Sequence, residues 1–158
     1  MVDVPDSVLT QEFLEEALFL DLLRLGHAAR LQAHGRSMLP FVRPGTTVLI
    51  EPPPFVAPPL AVGDIVLVHS GGCLRLHRLV GWRQGDDGTP RLLLKGDGLL
   101  KADPLVHPKH LYGRAAALEG PRGRTWLLGG GRRALHRAVA FASRIGWRLA
   151  SACGMGQE

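Results

Sequence analysis

The sequence predicts a mainly β domain flanked by an N-terminal and a C-terminal amphipathic helix, and three observations lead there. Twenty Gly and twelve Pro among 158 residues leave little room for a helical bundle, because each interior Gly or Pro costs a helix about 1 or 3 kcal/mol. From Gly35 to Glu119 the chain falls into short apolar runs separated by turn formers, the signature of strands. Apolar residues at helical spacing are confined to the two ends. A hydrophobic content of 46% against 21% charged residues excludes disorder. The length suits one domain, since domains run to roughly 100–200 residues.

Residues Thr10 to Arg30 read as the first helix. Phe13, Ala17, Leu20 and Leu23 recur at helical spacing, Leu14, Leu18, Leu22 and Leu25 widen the apolar stripe, and Thr10 serves as N-cap. Strands are expected at Thr47–Glu51, Asp64–His69, Leu74–Val80, Arg91–Lys95 and Leu111–Glu119. The five prolines of EPPPFVAPPLAVGD cannot donate to a ladder, so Pro52 to Leu60 is expected as a stiff exposed loop or edge segment. GDDGTP marks a turn at Gln84–Pro90, and no internal repeat is present. Beyond a GGGRR linker, Arg133 to Ser151 reads as a second helix. Arg133, Arg137, Arg144 and Arg148 share one side of it, opposite Leu135, Ala138, Val139, Ala142, Ile145 and Leu149. Two readings of that helix stand: docking on the β body with its arginines in water, or peripheral contact with anionic lipid near Trp147. The expected organisation is therefore a helical segment at 1–34, a β domain at 35–120, and a linker with a basic helix at 121–158.

Cys73 and Cys153 stand 80 residues apart. That spacing excludes a CxxC zinc site, a disulfide framework and a thioredoxin-like motif, and both read as free thiols in a reducing compartment. The most apolar early stretch, Phe13 to Leu25, carries Glu15, Glu16, Asp21 and Arg24, too many charges for a membrane span. The start also lacks the pattern of a secretory signal, so cytoplasmic residence is expected. The net charge of +5 comes from the C-terminal end, where seven arginines of residues 121–158 face Glu158 alone. Without aromatic interleaving, a recognition-helix pattern or a zinc finger, that charge does not point to nucleic acid as a partner.

The segment GRSMLPFVRPGTTVLI, Gly35 to Ile50, sets a Ser-Met pair in a turn just before a strand. A nucleophilic Ser needs such exposure, but a lone Ser in a turn is commonly a cap, and its hydroxyl stays weak without a base beside it. Four segments follow in order: VGDIVLV (Val62–Val68), LRLHRLVG (Leu74–Gly81), LLKGDG (Leu93–Gly98) and LYGRAAAL (Leu111–Leu118). Together these resemble the serine peptidases of the signal peptidase I and LexA-like superfamily over about Gly35 to Leu118. The nucleophile motif G-x-S-M-x-P is matched by Gly35, Ser37, Met38 and Pro40, and the strand opening G-D-x-V by Gly63, Asp64 and Val66. Where most bacterial members read K-R-V-x-G, this chain reads His77-Arg78-Leu79-Val80-Gly81. It therefore resembles the endoplasmic-reticulum, archaeal and sporulation-type branch, in which His replaces Lys. That branch carries a G-D segment with a second Asp six residues on, matched by Asp97 and Asp103.

The resemblance implies a signal-peptidase-like β body acting as a serine endopeptidase on a peptide or protein precursor, with Ser37 as nucleophile and His77 as general base. It implies no cofactor. Elementary chemistry agrees, because an ordinary imidazole, pKa about 6.5, is a competent base near neutral pH and a carboxylate holds it in the right tautomer. Either Asp97 or Asp103 is expected to be that carboxylate. Lys95 is the alternative base, as in Ser-Lys autoproteases, and a non-catalytic peptide-binding relative is the competing class. Two departures stand out: Gly35 replaces the Ser or Thr that donates to the oxyanion in many members, and a charged amphipathic helix replaces their membrane span. The first leaves backbone donors, the Ser37 amide foremost. The second favours a processing protease in the cytoplasm. His107 and His110 lack companion ligands at metal spacing, so no metal is expected, and Met38 reads as a packing residue.

Overall fold

The computed structural model describes residues 6–53, 59–120, 123, 125–128 and 137–142. Helix α1 spans Asp6–Arg24, so Thr10 lies inside it rather than capping it, and it stops before Arg30. The stop is local. Gly26 takes φ 88°, its amide donates to Leu23 O at 3.1 Å, and the His27 amide donates to Leu22 O at 2.9 Å. This is a Schellman cap, in which a left-handed glycine ends the helix and satisfies its last carbonyls. Leu20 and Leu23 of α1 are buried, whereas Leu18, Leu22 and Leu25 face outward at 64%, 38% and 74% exposure. The widened apolar stripe expected of this helix is thus only partly used.

Past the cap, Ala29 and Arg30, expected to end the helix, instead open β1 (Ala29–Gln32). The other strands are β2 (Thr47–Glu51), β3 (Ile65–Ser70), β4 (Cys73–Gln84), β5 (Pro90–Lys95), β6 (Leu111–Glu119) and β7 (Thr125–Leu127). They make one antiparallel seven-stranded sheet in the order β1-β2-β6-β3-β4-β5, with β7 paired to β6. The body is therefore mainly β. β4 runs longer than expected because it serves two partners: residues 73–78 pair with β3, and residues 78–84 pair with β5. A register shift between Leu79 and Gly81 bends the strand between those duties, as a bulge does. β7 falls in a stretch expected as linker.

β3 is central and buried on both faces, which makes it the divider of the core. Ile65 and Leu67 point into a cluster with Leu23, Met38, Val42, Val48, Ile50, Ala115 and Leu118. Val66 and Val68 point the other way, onto Leu79, Leu92, Leu94 and Val106. Each such buried aliphatic side chain contributes about 1.5–3 kcal/mol. The end of α1 is pinned to β6 by Arg24 Nη2, which donates to the Tyr112 hydroxyl at 2.8 Å.

Two expectations about loops and ends need correction. Pro52 is buried, while Pro59 is exposed; residues 54–58 of that proline-rich segment lie outside the described residues. Residues 137–142 are helical, and the contact they make is through Ala140, packed against Val80 and Leu93. Ala138 and Ala142 of the expected apolar stripe are exposed. The single methyl of Ala140 permits close approach of this segment to the sheet. The rest of the basic helix, the GGGRR linker and Cys153 lie outside the described residues.

Candidate active site

The turn that carries Ser37 hangs between β1 and β2. Its neck is closed by two backbone bonds, Ala33 N–H to Thr46 O at 2.8 Å and Gly45 N–H to Ala33 O at 2.9 Å. Its apex is anchored by Met38 and Val42, 5% and 2% exposed in the core, and by the Met38 carbonyl, which accepts from the Phe41 and Val42 amides at 3.1 and 3.0 Å. Met38 is thus a packing residue, as expected. Pro40 follows a cis Leu39–Pro40 bond, and Gly35 holds φ 78°. An added Cβ at Gly35 would meet nothing within 4 Å, so conformation rather than space favours glycine there.

His77 lies on β4 and is 5% exposed. Its Nε2 stands 3.1 Å from Ser37 Oγ, and its Nδ1 bonds Asp103 Oδ2. An ionised carboxylate only accepts, so Nδ1 carries the ring proton and Nε2 is left to accept from the Ser37 hydroxyl. Asp103 reaches this position because its loop returns along β5: its amide donates to Leu94 O at 2.9 Å, and Val106 and Leu92 exchange bonds of 3.0 and 2.8 Å. The three side chains form one continuous chain of hydrogen bonds.

Asp97 does other work. Arg78 Nε and Nη2 donate to its two oxygens at 2.8 and 2.6 Å, and Arg78 Nη1 donates to Gly63 O at 2.7 Å. The Arg78 side chain is 0% exposed and that of Asp97 2%. A buried, bidentate pair of this kind is a structural tie. Neighbouring residues of a strand point to opposite faces, so the carboxylate that serves Arg78 is not the one that serves His77. Sequence reasoning left both carboxylates open, and the structure gives His77 to Asp103.

The segment around Asp97 also braces the Ser37 turn. The Gly98 amide donates to the Ser37 carbonyl at 2.8 Å, and a Cβ at Gly96 would come within 2.6 Å of that carbonyl oxygen. Gly63 and Asp64 frame the start of β3, with Gly63 N–H donating to Leu79 O at 2.8 Å and Asp64 Oδ2 accepting from the Ala61 amide at 2.9 Å. Lys95, opposite Arg78 in register, donates from Nζ to Gly96 O at 3.3 Å. Burial pushes its ammonium below the ordinary lysine range, offset in part by Asp97.

A cleft of about 560 Å³ opens at Ser37 and His77. Its floor is apolar: Phe19, Leu31, Met38, Leu67, Leu74 and Leu76. Its walls include four consecutive residues of 30–33 and four of 74–77. Side chains alternate along a strand, so consecutive lining residues mean that strand edges face the cleft. β1 is the last strand in the order, and residues 74–77 precede the part of β4 that pairs with β5.

Sequence reasoning missed Arg75, two residues before His77, whose Nη1 lies 3.4 Å from Asp103 Oδ1. The signal was its place on the same strand face as His77. His107 Nδ1 accepts from the Lys109 amide at 3.0 Å and so caps the 3₁₀ turn Pro108–His110. Among the described residues no cluster of three His, Cys, Asp or Glu side chains is set to hold a metal. Cys73 is an exposed free thiol on the β3–β4 hairpin. No helix among the described residues is long and apolar enough to cross a membrane. Comparison with known proteins leaves this geometry to speak for itself, since no family model and no curated protein matches the chain.

Proposed function

We propose that the chain is a serine endopeptidase of the signal-peptidase and LexA-like kind, processing a peptide or protein precursor in the cytoplasm. The observation that carries the reading is the chain Ser37 Oγ, His77 Nε2, His77 Nδ1, Asp103 Oδ2. In this reading Ser37 Oγ attacks the scissile carbonyl carbon while His77 Nε2 takes the hydroxyl proton. Collapse of the tetrahedral intermediate breaks the C–N bond, and the imidazolium passes its proton to the leaving amine. Water then repeats the sequence on the ester, freeing Ser37 and a carboxylate product. Asp103 holds the tautomer and faces the imidazolium charge. With Gly35 in place of a hydroxyl-bearing residue, the oxyanion relies on backbone amides, that of Ser37 first; one lost donor corresponds to about 3 kcal/mol of barrier.

The two strand edges that line the cleft suit an extended peptide, which gains main-chain hydrogen bonds from them while its side chains sample the apolar floor. Mainly antiparallel architecture with the nucleophile turn between β1 and β2 supports the superfamily reading. The test is incubation with a diverse peptide library, reading new termini by mass spectrometry. Cleavage by the wild type that disappears in Ser37→Ala and in His77→Ala is expected. Retention of peptides without any new terminus would instead make the chain a peptide-binding module.

A further inference from the structure

Asp103 has two carboxylate oxygens, and His77 engages one of them. The other, Oδ1, faces Arg75 Nη1 at 3.4 Å. The Asp103 side chain is 7% exposed and that of Arg75 34%, so the cation closes the site toward the cleft while the acid stays inside. Arg75 lies beside the tip of the β3–β4 hairpin, where a Cβ at Gly71 would come within 3.2 Å of its Nη2, and its guanidinium is raised, first by the Cys73 side chain and further by Asp103. Glycines at positive φ, 63° at Gly71 and 79° at Gly72, shape that tip into a tight hairpin turn.

We propose that Arg75 is a positioning residue that fixes the Asp103 carboxylate in the orientation in which Oδ2 meets His77 Nδ1. A carboxylate bound on one oxygen alone rotates freely about its terminal torsion, which is broad and soft. Held at both oxygens, it keeps His77 turned toward Ser37. The site is then a relay of four, Ser37, His77, Asp103 and Arg75, and Arg75 touches no reacting atom. Other charged or titratable groups lining the cleft are Glu15 and Glu16 on α1, Arg30 on β1 and His34 ahead of Ser37. The side-chain partners of Asp103 are His77 and Arg75. The buried Arg78–Asp97 pair and Lys95, opposite Arg78 in register, are the charged groups next along β4 and β5, and the Arg78 guanidinium lies 5.4 Å from the ring centre of Phe41.

The inference rests on the peptidase reading for its meaning, and its test does not need turnover. In a Ser37→Ala background, the His77 ring is followed by NMR with ¹⁵N-labelled imidazole. The Nδ1–H tautomer signal and its downfield proton should persist in Arg75→Lys and broaden or vanish in Arg75→Gln, with the melting temperature of each variant recorded alongside. In the active enzyme Arg75→Gln should lower kcat about tenfold with KM little changed, well short of the about 10⁴-fold for losing the carboxylate itself. Arg75→Gln added to Asp103→Asn should have no further effect. An unchanged His77 signal in Arg75→Gln, or an equal further loss in the double variant, would overturn the proposal. Absence of turnover in the wild type would remove the peptidase reading and leave the NMR comparison to decide whether Arg75 positions Asp103.

Discussion

His77 and Arg78 are neighbours on β4 and take different carboxylates: His77 binds Asp103 on the cleft side, and Arg78 binds Asp97 in the interior. One strand thereby serves the site with one residue and secures it with the next. Since the pleat alternates faces, this division needs no loop to change direction.

That division separates the two acids experimentally. Asp103→Asn should lose about 10⁴ in kcat while melting near the wild type, because His77 takes the wrong tautomer. Asp97→Asn should leave the fully buried Arg78 without its countercharge and cost about 3–5 kcal/mol of stability. Paired measurements of kcat and thermal unfolding check both, and a stable, inactive Asp97→Asn would reverse the assignment.

Gly96→Ala tests the brace beneath the Ser37 turn. Its methyl group would stand 2.6 Å from the Ser37 carbonyl oxygen, so the Ser37 turn and the Gly96 segment must shift apart. A displacement near 1 Å at a reacting group corresponds to about 10²-fold in rate. The expected result is that loss in kcat with the fold retained by circular dichroism; wild-type kcat would show that the turn tolerates the push.

Lys95 is expected to govern stability rather than turnover. Lys95→Met should keep turnover at neutral pH, since the Ser37 hydroxyl bonds His77. Its ammonium is depressed in the folded chain, chiefly by burial, so the unfolded chain binds more protons between the folded and unfolded pKa values. Stability therefore gains from this group as pH rises through the depressed value toward the usual 10.5. Unfolding midpoints across the alkaline range should show that gain in the wild type and lack it in Lys95→Met.

Asp87 gives an acid-side counterpart at the β4–β5 hairpin. Its carboxylate is lowered from 3.8 to about 2, first by hydrogen bonds from Thr89 and then by Arg91. A depressed carboxylate stabilises the fold above its unfolded pKa and loses that contribution as pH falls through the folded one. Asp87→Asn should accordingly melt earlier than the wild type above about pH 4, and the two curves should converge near pH 2. A constant gap over that range would sink the assignment.

Much of the fold was legible because it is written in local pattern. Thr47–Glu51 and Leu111–Glu119 were readable residue for residue, since alternation and flanking turn formers are properties of the segment itself. The Ser37 turn, with Gly35, Met38 and Pro40 around it, and His77 were likewise visible as spaced residue types. β1 was hidden because its residues extend the apolar pattern of α1; the informative signal was Gly26, a glycine placed to end a helix. β7 was hidden because three residues carry no period.

What the sequence determined by itself was the inventory: a β body, a serine set in a turn, a histidine on a later strand and two carboxylates six residues apart. Tertiary structure decided which of them meet. Asp103 rather than Asp97 joins His77 because the loop after β5 returns along that strand, and because alternate residues of β4 face opposite sides of the sheet. Arg75 joins them for the same reason, since the contact between residues 28 apart is set by strand pairing and chain return, which no short window of sequence encodes.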